Sequence, residues 1–176
     1  HLAVDFLEVF CGHKGLTFRV EDAGILVGEG FDSRSVTYGQ TWDLTDPRTL
    51  RGFAWLVVVV LKPKSVHAGT PCTHLCVLGK QDYPEWSMKL VVVTAWLAEL
   101  QLARGYLMSV ETPKGSMLLD VDEFTEVFGK QPHLKGPWTM ITADGCQLDY
   151  CYPGIDDPGR PMQKSHHWIS NFDLSL

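Results

Sequence analysis

The sequence lacks the features that mark several large classes of protein. It has no apolar run long enough to span a bilayer, and its longest such run, Phe53 to Leu61, is far too short. It has no internal repeat and no low-complexity tract. Its 15 lysines and arginines are outnumbered by 21 aspartates and glutamates, and the net charge of −6 opposes general binding to nucleic acid. These absences favour a globular domain without a membrane span.

Cysteine is too sparse for a disulfide framework. The chain has five cysteines, an odd number, and they are scattered: Cys11, Cys72, Cys76, Cys146 and Cys151. Small secreted domains instead carry dense, paired cysteines, so we expect a reducing compartment here. Because the chain begins at His1 rather than Met, we also expect a processed N-terminus, from which a targeting segment could have been removed.

The chain of 176 residues is predicted to form one domain, residues 1–176. Short apolar runs alternate with segments of helical periodicity, which predicts an α/β fold, a Rossmann-like three-layer sandwich with a mainly parallel sheet. The predicted strands are Phe6 to Phe10, Ile25 to Phe31, Val66 to Gly69, Tyr106 to Val110 and Trp138 to Thr142. The predicted helices are Leu16 to Ala23, Pro47 to Leu61, Pro84 to Arg104 and Met117 to Phe128. A C-terminal antiparallel hairpin is predicted after them, with arms at Tyr150 to Tyr152 and His167 to Ile169.

Residues 57–60 admit two interpretations. Four consecutive valines there favour a strand. The apolar residues of the surrounding segment recur at helical spacing, Asp46 and Pro47 are typical of a helix start, and Pro63 would end the helix. We therefore predict a helix.

A glycine-bracketed turn follows the first predicted strand. Gly12 and Gly15 flank it and a helix comes next, the order by which a parallel sheet offers a helix N-terminus to a nucleotide-like ligand. Acids at the end of the second strand, Glu29 or Asp32, could accept hydrogen bonds from ribose hydroxyls, and Asp43 could reach an adenine amino group. The alternative is a tight turn without a ligand, beside a solvated acidic loop.

Two further strand ends carry reactive side chains. Cys72 follows Pro71 just after a strand, where a thiolate could act as a nucleophile, although most free cysteines are buried thiols that fill space. Glu111 ends an apolar strand, where a carboxylate is costly unless it is paired or protonated, so it could bond a heterocycle or brace a loop. Together with the Gly turn, these residues are predicted to surround one site at the carboxyl edge of the sheet.

The remaining candidates have simpler interpretations. His67, Cys72, His74 and Cys76 match no standard zinc spacing, so we predict no metal site. Four aromatic side chains could stack on bases but are more often packed in a core or a hairpin: Trp138, Tyr150, Tyr152 and Trp168.

The segment Phe10-Cys11-Gly12-His13-Lys14-Gly15-Leu16-Thr17 resembles the cofactor turn of class I S-adenosylmethionine-dependent methyltransferases, and in particular of their DNA cytosine-5 methyltransferase branch. Asp43-Leu44-Thr45 is similar to the segment whose Asp contacts the cofactor adenine. Gly69-Thr70-Pro71-Cys72 is similar to the Pro-Cys nucleophile loop, and Glu111-Thr112-Pro113 to the segment whose Glu holds the cytosine ring. The order and spacing agree over residues 6–129.

The resemblance implies S-adenosylmethionine as the cofactor, held by Phe10, Gly12, Gly15, Leu16, Glu29, Asp32, Asp43, Leu44 and Pro71. It also implies that Cys72 adds to C6 of a flipped-out cytosine, that Glu111 bonds the ring near N3, and that C5 takes the methyl group. Nucleic acid would then be a partner, which the acidic charge opposes.

The sequence also departs from that branch. Thr112 stands where Asn is usual, Lys14 stands where Gly is common, no Arg-x-Arg segment supports the base, and we expect no target-recognition domain. These departures, the acidic charge and the aromatic C-terminal residues motivate an alternative: a catalytically inactive methyltransferase-fold scaffold subunit of a larger protein complex. A dinucleotide-dependent reductase fits less well, because the turn lacks the full Gly-x-Gly-x-x-Gly pattern.

Overall fold

The computed structural model describes residues 3–71, 74–75, 84–144 and 165–174. The helices in these ranges are α1 (Gly15–Asp22), α2 (Pro47–Trp55), α3 (Glu85–Arg104) and α4 (Asp122–Phe128). A π-helix, Leu56–Leu61, continues α2, and a 3-10 helix, Met117–Asp120, precedes α4. The strands are β1 (Phe6–Val9), β2 (Ser65–Ala68), β3 (Leu107–Pro113), β4 (Gly129–Lys130), β5 (His133–Leu134), β6 (Thr139–Asp144) and β7 (Ser165–Ser170). None of the helices in this described part is long and apolar enough to cross a membrane.

Five strands form one mixed sheet in the order β1-β2-β3-β7-β6. β1, β2 and β3 are parallel, with Val9, Ala68 and Val110 side by side near their carboxyl ends. β7 runs antiparallel to both β3 and β6. The predicted α/β fold with parallel strands and a C-terminal antiparallel hairpin is confirmed. The arm predicted at Tyr150 to Tyr152 lies outside the described residues, and β6 is a hairpin partner of β7.

Alternation along the strands divides the sheet into an apolar and a polar face. The apolar face carries fully buried side chains such as Leu7, Val66 and Val110, which form one core with residues of α2, α3 and α4. α1 packs against β1 on the opposite side, where Thr17 donates to a strand carboxylate. Helices on both faces make three layers. The polar face, as the term is used below, carries these side chains: Glu8, His67, Ser109, Glu111, His166, Trp168 and Ser170.

The segment predicted as the strand Ile25 to Phe31 runs beside β1 but forms only two isolated parallel bridges. The prediction of a continuous strand is therefore wrong. The N–H of Gly28 donates to Phe6 O at 2.8 Å, and the N–H of Phe31 donates to Glu8 O at 3.0 Å. These donors are three residues apart whereas their acceptors are two apart, so one extra residue bulges out of the ladder.

The helix predicted from Pro47 to Leu61 is confirmed against the alternative of a valine strand. Asp46 caps it, because its Oδ2 accepts from the N–H of Thr49 at 2.9 Å. The α-helix ends at Trp55, and the valines continue as a π-helix up to Lys62, whose left-handed φ of 43° ends it. Packing against the core, rather than the strand propensity of valine, decides the conformation of this run.

The helix predicted over Met117 to Phe128 is broken in two, so this prediction is wrong in part. Val121 has an extended backbone, with φ −73° and ψ 134°, between the 3-10 helix and α4. The break has a packing reason. Leu119 and Phe128 are both buried, but a rotation of about 100° per residue would place them on opposite sides of one continuous helix. A single helix could not bury both side chains against the same core.

Gly30 lies where no side chain fits. A Cβ at this position would lie 2.7 Å from Cys11 Sγ and 3.2 Å from the carbonyl oxygen of Glu8. We expect Gly30→Ala to lower the free energy of unfolding, measured in urea, by about 1–3 kcal/mol, because β1 must move to accept the methyl group. Gly52→Ala is the matched control. Its Cβ would meet nothing closer than 3.8 Å, so we expect it to be neutral or stabilising in its helix. Wild-type stability of Gly30→Ala would contradict this packing.

Candidate functional site

A cavity of about 500 Å³ lies at the carboxyl ends of β1 and β2. A parallel sheet places its ligand crevice at this edge, and the volume is ordinary for a small-molecule site. The walls are Phe10 after β1, residues 32–34, residues 42–45 before α2, Pro71 after β2, and Trp86 with Leu90 on α3. Five of the residues predicted to bind a cofactor line it: Phe10, Asp32, Asp43, Leu44 and Pro71.

The chain leaves β1 through a strained turn at the cavity. Phe10 has a left-handed φ of 59°, which is unfavourable for a bulky side chain, and its N–H donates to Phe31 O at 2.7 Å. Gly12 follows with a φ of 50°. Its N–H donates to Asp32 Oδ2 at 3.0 Å, and its carbonyl accepts from Ser35 Oγ at 3.2 Å. Strain of this kind is typical of functional sites at which neighbouring contacts hold it in place.

The two acids predicted to meet a ribose lie in different places. Asp32 is buried and lines the cavity. Its Oδ1 accepts from the N–H of Arg34 at 2.8 Å while Oδ2 holds the Gly turn, so Asp32 braces the turn from within the wall. Glu29 does not line this cavity; its side chain is 59% exposed and lies 3.9 Å from Lys14 Nζ. Of the two acids, the structure places only Asp32 at the cavity.

Asp43 lies at the cavity in a turn that leads into α2. Its Oδ1 accepts from the N–H of Thr45 at 3.0 Å and from the Thr45 hydroxyl at 2.7 Å. A carboxylate has further acceptor positions, so Asp43 can also accept from an amino group in the cavity. Leu44 is buried and adds an apolar wall. Sequence reasoning missed Trp42, whose Nε1 donates to Thr37 O at 2.8 Å; an aromatic residue directly before the candidate Asp was the available signal.

The N-terminus of α1 is capped by Glu8 of β1, which sequence reasoning did not select. Glu8 Oε2 accepts from the N–H of Thr17 at 2.7 Å and from its hydroxyl at 2.5 Å. Burial raises the pKa of Glu8, and the bonds from Thr17 oppose that shift. Gly15 and Leu16 lie in this first turn and do not line the cavity. The available signal was a single acid within an apolar strand, which must find partners when it is buried.

The described cysteine at the site is not a suitable nucleophile. Cys11 is a buried free thiol, and its pKa is raised to about 11, first by burial and then by the charges of Glu8 and Asp32. Such a thiol is not ionised at neutral pH, and the thiolate is the reactive form. The predicted nucleophile Cys72 lies outside the described residues. Pro71, its neighbour in the chain, lines the cavity.

Glu111 lies on the polar face of the sheet and not in the cavity wall. Its Oε1 is 2.5 Å from His166 Nδ1, and its Oε2 is 4.0 Å from His67 Nε2. The ring of His67 stacks on Trp168 at 5.1 Å. Burial lowers the pKa of His67 to about 4, although the charge of Glu111 acts in the opposite direction. The structure thus brings Glu111 together with two imidazoles rather than with the residues that line the cavity.

The remaining candidates pack against other aromatic rings. His74 meets Trp86 edge-on at 5.0 Å. Trp138 is buried against Phe128 at 4.5 Å, so it belongs to the core. Within the described ranges, no group of three or more His, Cys, Asp or Glu side chains could hold a metal ion. Four other candidates lie outside those ranges: Cys72, Cys76, Tyr150 and Tyr152.

Comparison with known proteins finds a similar fold among solved structures. No protein-family model matches the sequence, and no curated protein matches it. Among solved structures, the fold is similar to the crystal structure of the S. pombe Dnmt2 methyltransferase, with a TM-score of 0.55 and 12% sequence identity over 99% of this chain and 52% of that chain. The structure of a candidate methyltransferase from Thermoplasma acidophilum gives a TM-score of 0.40 and 10% identity over 96% of this chain and 67% of that chain.

The likeness to S. pombe Dnmt2 shows that this chain has a Rossmann-like methyltransferase fold. At 12% identity it shows the fold alone. The chain spans about half the length of the Dnmt2 chain, 52% of it. The fold expected from the Gly turn and the three strand ends is thereby confirmed, whereas the cytosine-5 branch remains a matter of sequence resemblance.

Variants at Glu8 test its role as the cap of α1. Glu8→Ala should lower the free energy of unfolding by about 1–3 kcal/mol, because the N–H and hydroxyl of Thr17 would lose their buried acceptor. Glu8→Gln is the matched variant, since it keeps a carbonyl oxygen for both donors and removes the buried charge. We therefore expect Glu8→Gln to lie close to wild type in urea denaturation at pH 7. If Glu8→Ala were as stable as Glu8→Gln, the capping role would be wrong.

The buried imidazole of His67 predicts a pH dependence of stability. The unfolded ring binds a proton below its ordinary pKa of 6.5, whereas the folded ring does so only near pH 4. Stability should therefore fall as the pH falls from 6.5 towards 4, by up to about 3 kcal/mol from this group. His67→Gln should lose much of this slope of stability against pH. It should keep the part due to His167, since burial also lowers the pKa of His167. His13→Gln, at an exposed position, is the control and should keep the whole slope.

Proposed function

We propose that this chain binds S-adenosylmethionine and acts as a methyltransferase. The observation that carries the proposal is the cavity of about 500 Å³ at the carboxyl ends of β1 and β2. The turn at Phe10, the carboxylate of Asp43 and the apolar side chain of Leu44 meet there. They would supply a bend in the backbone, an acceptor for the adenine amino group and a wall for the adenine ring. S. pombe Dnmt2, a methyltransferase, has the same fold.

The N-terminus of α1 favours this cofactor over a dinucleotide. A dinucleotide places its pyrophosphate at the N-terminus of the first helix. Here the buried carboxylate of Glu8 already accepts from the N–H of Thr17 at that place, so a phosphate would meet a like charge. S-adenosylmethionine has no phosphate, and its sulfonium and amino groups are cationic. The carboxylate of Asp43 in the cavity wall would attract them. Asp32 contributes less, because Arg34 Nε lies 3.5 Å from its Oδ1.

We also propose cytosine C5 as the methyl acceptor. The thiolate of Cys72 would add to C6, C5 would then take the methyl group from the sulfonium and release S-adenosylhomocysteine, and loss of the C5 proton would expel the thiolate. Glu111 would bond the ring near N3. The support is positional: Cys72 follows Pro71, which lines the cavity, and Glu111 lies near the end of the strand next to β2.

An inactive scaffold subunit is the alternative function. That interpretation predicts a cofactor pocket filled by side chains, and the volume of the cavity argues against it. The net charge of −6 still opposes binding to nucleic acid by this chain alone. A protein partner that supplies a basic surface is therefore part of the proposal.

Isothermal titration calorimetry with S-adenosylmethionine tests the cofactor site. We expect the chain to bind it, and Asp43→Asn to bind it about tenfold more weakly, because the amide keeps an oxygen for Thr45 but turns the other acceptor into a donor. Glu29→Gln is the matched control, since Glu29 is an exposed acid outside the cavity wall, and should bind like wild type. A wild-type chain that shows no heat of binding would exclude this cofactor.

A covalent trap tests the reaction as the second stage of the same experiment. Transfer of a labelled methyl group to cytosine-containing DNA or RNA is measured first. A 5-fluorocytosine substrate should then remain covalently attached to Cys72. Release of the thiolate requires loss of a proton from C5, and the fluorine at that position cannot be lost as a proton. Cys72→Ser should abolish the adduct, and Cys11→Ala should retain it. Cofactor binding without any transfer would favour the scaffold, and an adduct that persists in Cys72→Ser would assign the nucleophile elsewhere.

A further inference from the structure

The wall of the cavity carries charges of both signs. Among the described residues that line it, Asp32 and Asp43 are acidic and Arg34 alone is basic. S-adenosylmethionine also carries both signs, because its sulfonium and amino groups are cationic and the carboxylate of its methionine part is anionic. The acids in the wall attract the cationic groups and repel that carboxylate. The single guanidinium therefore bears on where the anionic end of the cofactor would bind.

Arg34 is tied to the Gly turn through Asp32. Its backbone N–H donates to Asp32 Oδ1 at 2.8 Å, and its Nε lies 3.5 Å from the same oxygen. The other oxygen, Oδ2, accepts from the N–H of Gly12 at 3.0 Å. Asp32 is buried, so one fixed carboxylate joins the backbone of Arg34 to the turn after β1. The contacts that shape the turn thus also place the start of the Arg34 side chain.

The guanidinium of Arg34 lies against the Gly turn. A Cβ on Gly12 would lie 4.0 Å from Arg34 Nη2, an ordinary van der Waals distance, so this end of the guanidinium meets the part of the turn that has no side chain. The side chain of Arg34 is 81% exposed, and no described residue accepts from its Nη1 or Nη2. A guanidinium binds a carboxylate through two parallel N–H groups. Its outer edge therefore offers such a pair to a ligand in the cavity.

We propose that Arg34 binds the carboxylate of the methionine part of S-adenosylmethionine. The inference rests on the proposed function, in which Asp43 and Leu44 receive the adenine, and it adds the residue that recognises the opposite end of the cofactor. The carboxylate is not part of the reacting sulfonium, so Arg34 determines which ligand binds and takes no part in the transfer. The product S-adenosylhomocysteine keeps the same carboxylate, and Arg34 binds it equally.

Calorimetry with a ligand that lacks only the carboxylate tests this role. Decarboxylated S-adenosylmethionine keeps the adenosine, the sulfonium and the amino group. The wild-type chain should bind S-adenosylmethionine about tenfold more tightly than this ligand, near the lower end of the range for a charged hydrogen bond because solvent screens the exposed guanidinium. In Arg34→Gln, the affinity for S-adenosylmethionine should fall about tenfold, and that for the decarboxylated ligand should change by less than about twofold.

Two further variants serve as matched controls. Arg34→Lys keeps the charge without the pair of parallel N–H groups, so it should retain part of the preference for S-adenosylmethionine. Arg51→Gln removes the charge of an arginine on α2 that is exposed and does not line the cavity. It should bind both ligands like wild type, which separates a contact in the cavity from a general effect of net charge.

Kinetics give a second measurement in a chain that transfers methyl groups. The contact between Arg34 and the carboxylate is the same in the ground state and the transition state. Arg34→Gln should therefore raise the KM for S-adenosylmethionine about tenfold and leave kcat within about twofold of wild type. The inhibition constant of S-adenosylhomocysteine should rise by the same factor as KM.

The outcomes separate this inference from the proposed function. Equal wild-type affinities for S-adenosylmethionine and its decarboxylated form would overturn the role of Arg34 and leave the cofactor site intact. Equal losses of both ligands in Arg34→Gln would also overturn it, because Arg34 would then only brace Asp32 and the turn. Weaker transfer to nucleic acid with unchanged cofactor affinity would assign the guanidinium to a phosphate of the acceptor instead. A wild-type chain that binds neither ligand would overturn the proposed function, and the role of Arg34 with it.

Discussion

The candidate site depends on one buried carboxylate, that of Glu8 in the middle of β1. An ionisable group inside an apolar strand is tolerated only where donors meet it, and the N–H and hydroxyl of Thr17 supply them. This pairing holds the first turn of α1 against the sheet. The chain between β1 and α1 must therefore turn sharply, with left-handed backbone at Phe10 and Gly12. Because that turn bounds the cavity, the buried charge beneath it helps to determine where a ligand can bind.

Acidic side chains lie both on the polar face and at the cavity, and they restrict the ligands that each region accepts. On the polar face, the charge of Glu111 adds to the effects that raise the pKa of Glu8. The neutral ring of His67 lies on the strand between these two acids and adds no further charge. At the cavity, the wall carries Asp32 and Asp43. The polar face thus opposes anions, whereas the cavity wall also carries the guanidinium of Arg34, whose Nε lies 3.5 Å from Asp32 Oδ1, and so presents both signs of charge.

The parts of the fold that could be predicted from the sequence rest on local patterns. The long apolar helix that ends at Gly105 and the parallel strands with turn residues at their carboxyl ends are examples, and the cavity lies where those strand ends predicted a site. The parts that could not be predicted depend on contacts between distant segments. The break at Val121 follows from which helix sides the core can bury, and the contact between His166 and Glu111 follows from the register of β7 on β3. No local pattern encodes either one.

Glu111 lies on the polar face and does not line the cavity, so the proposed methyl transfer needs a place where the two regions meet. Within the described ranges, the carboxyl edge offers such a place, because β1, β2 and β3 pair closely below it. At that edge the N–H of Gly69 donates to Val9 O at 3.1 Å, and a Cβ on Gly69 would lie 3.3 Å from Phe10 O. The absence of a side chain there lets the ends of β1 and β2 approach closely. In the proposed reaction, a base would therefore reach the cofactor over the strand ends rather than through the sheet, and Glu111, near the end of β3, would lie beside the route of the base.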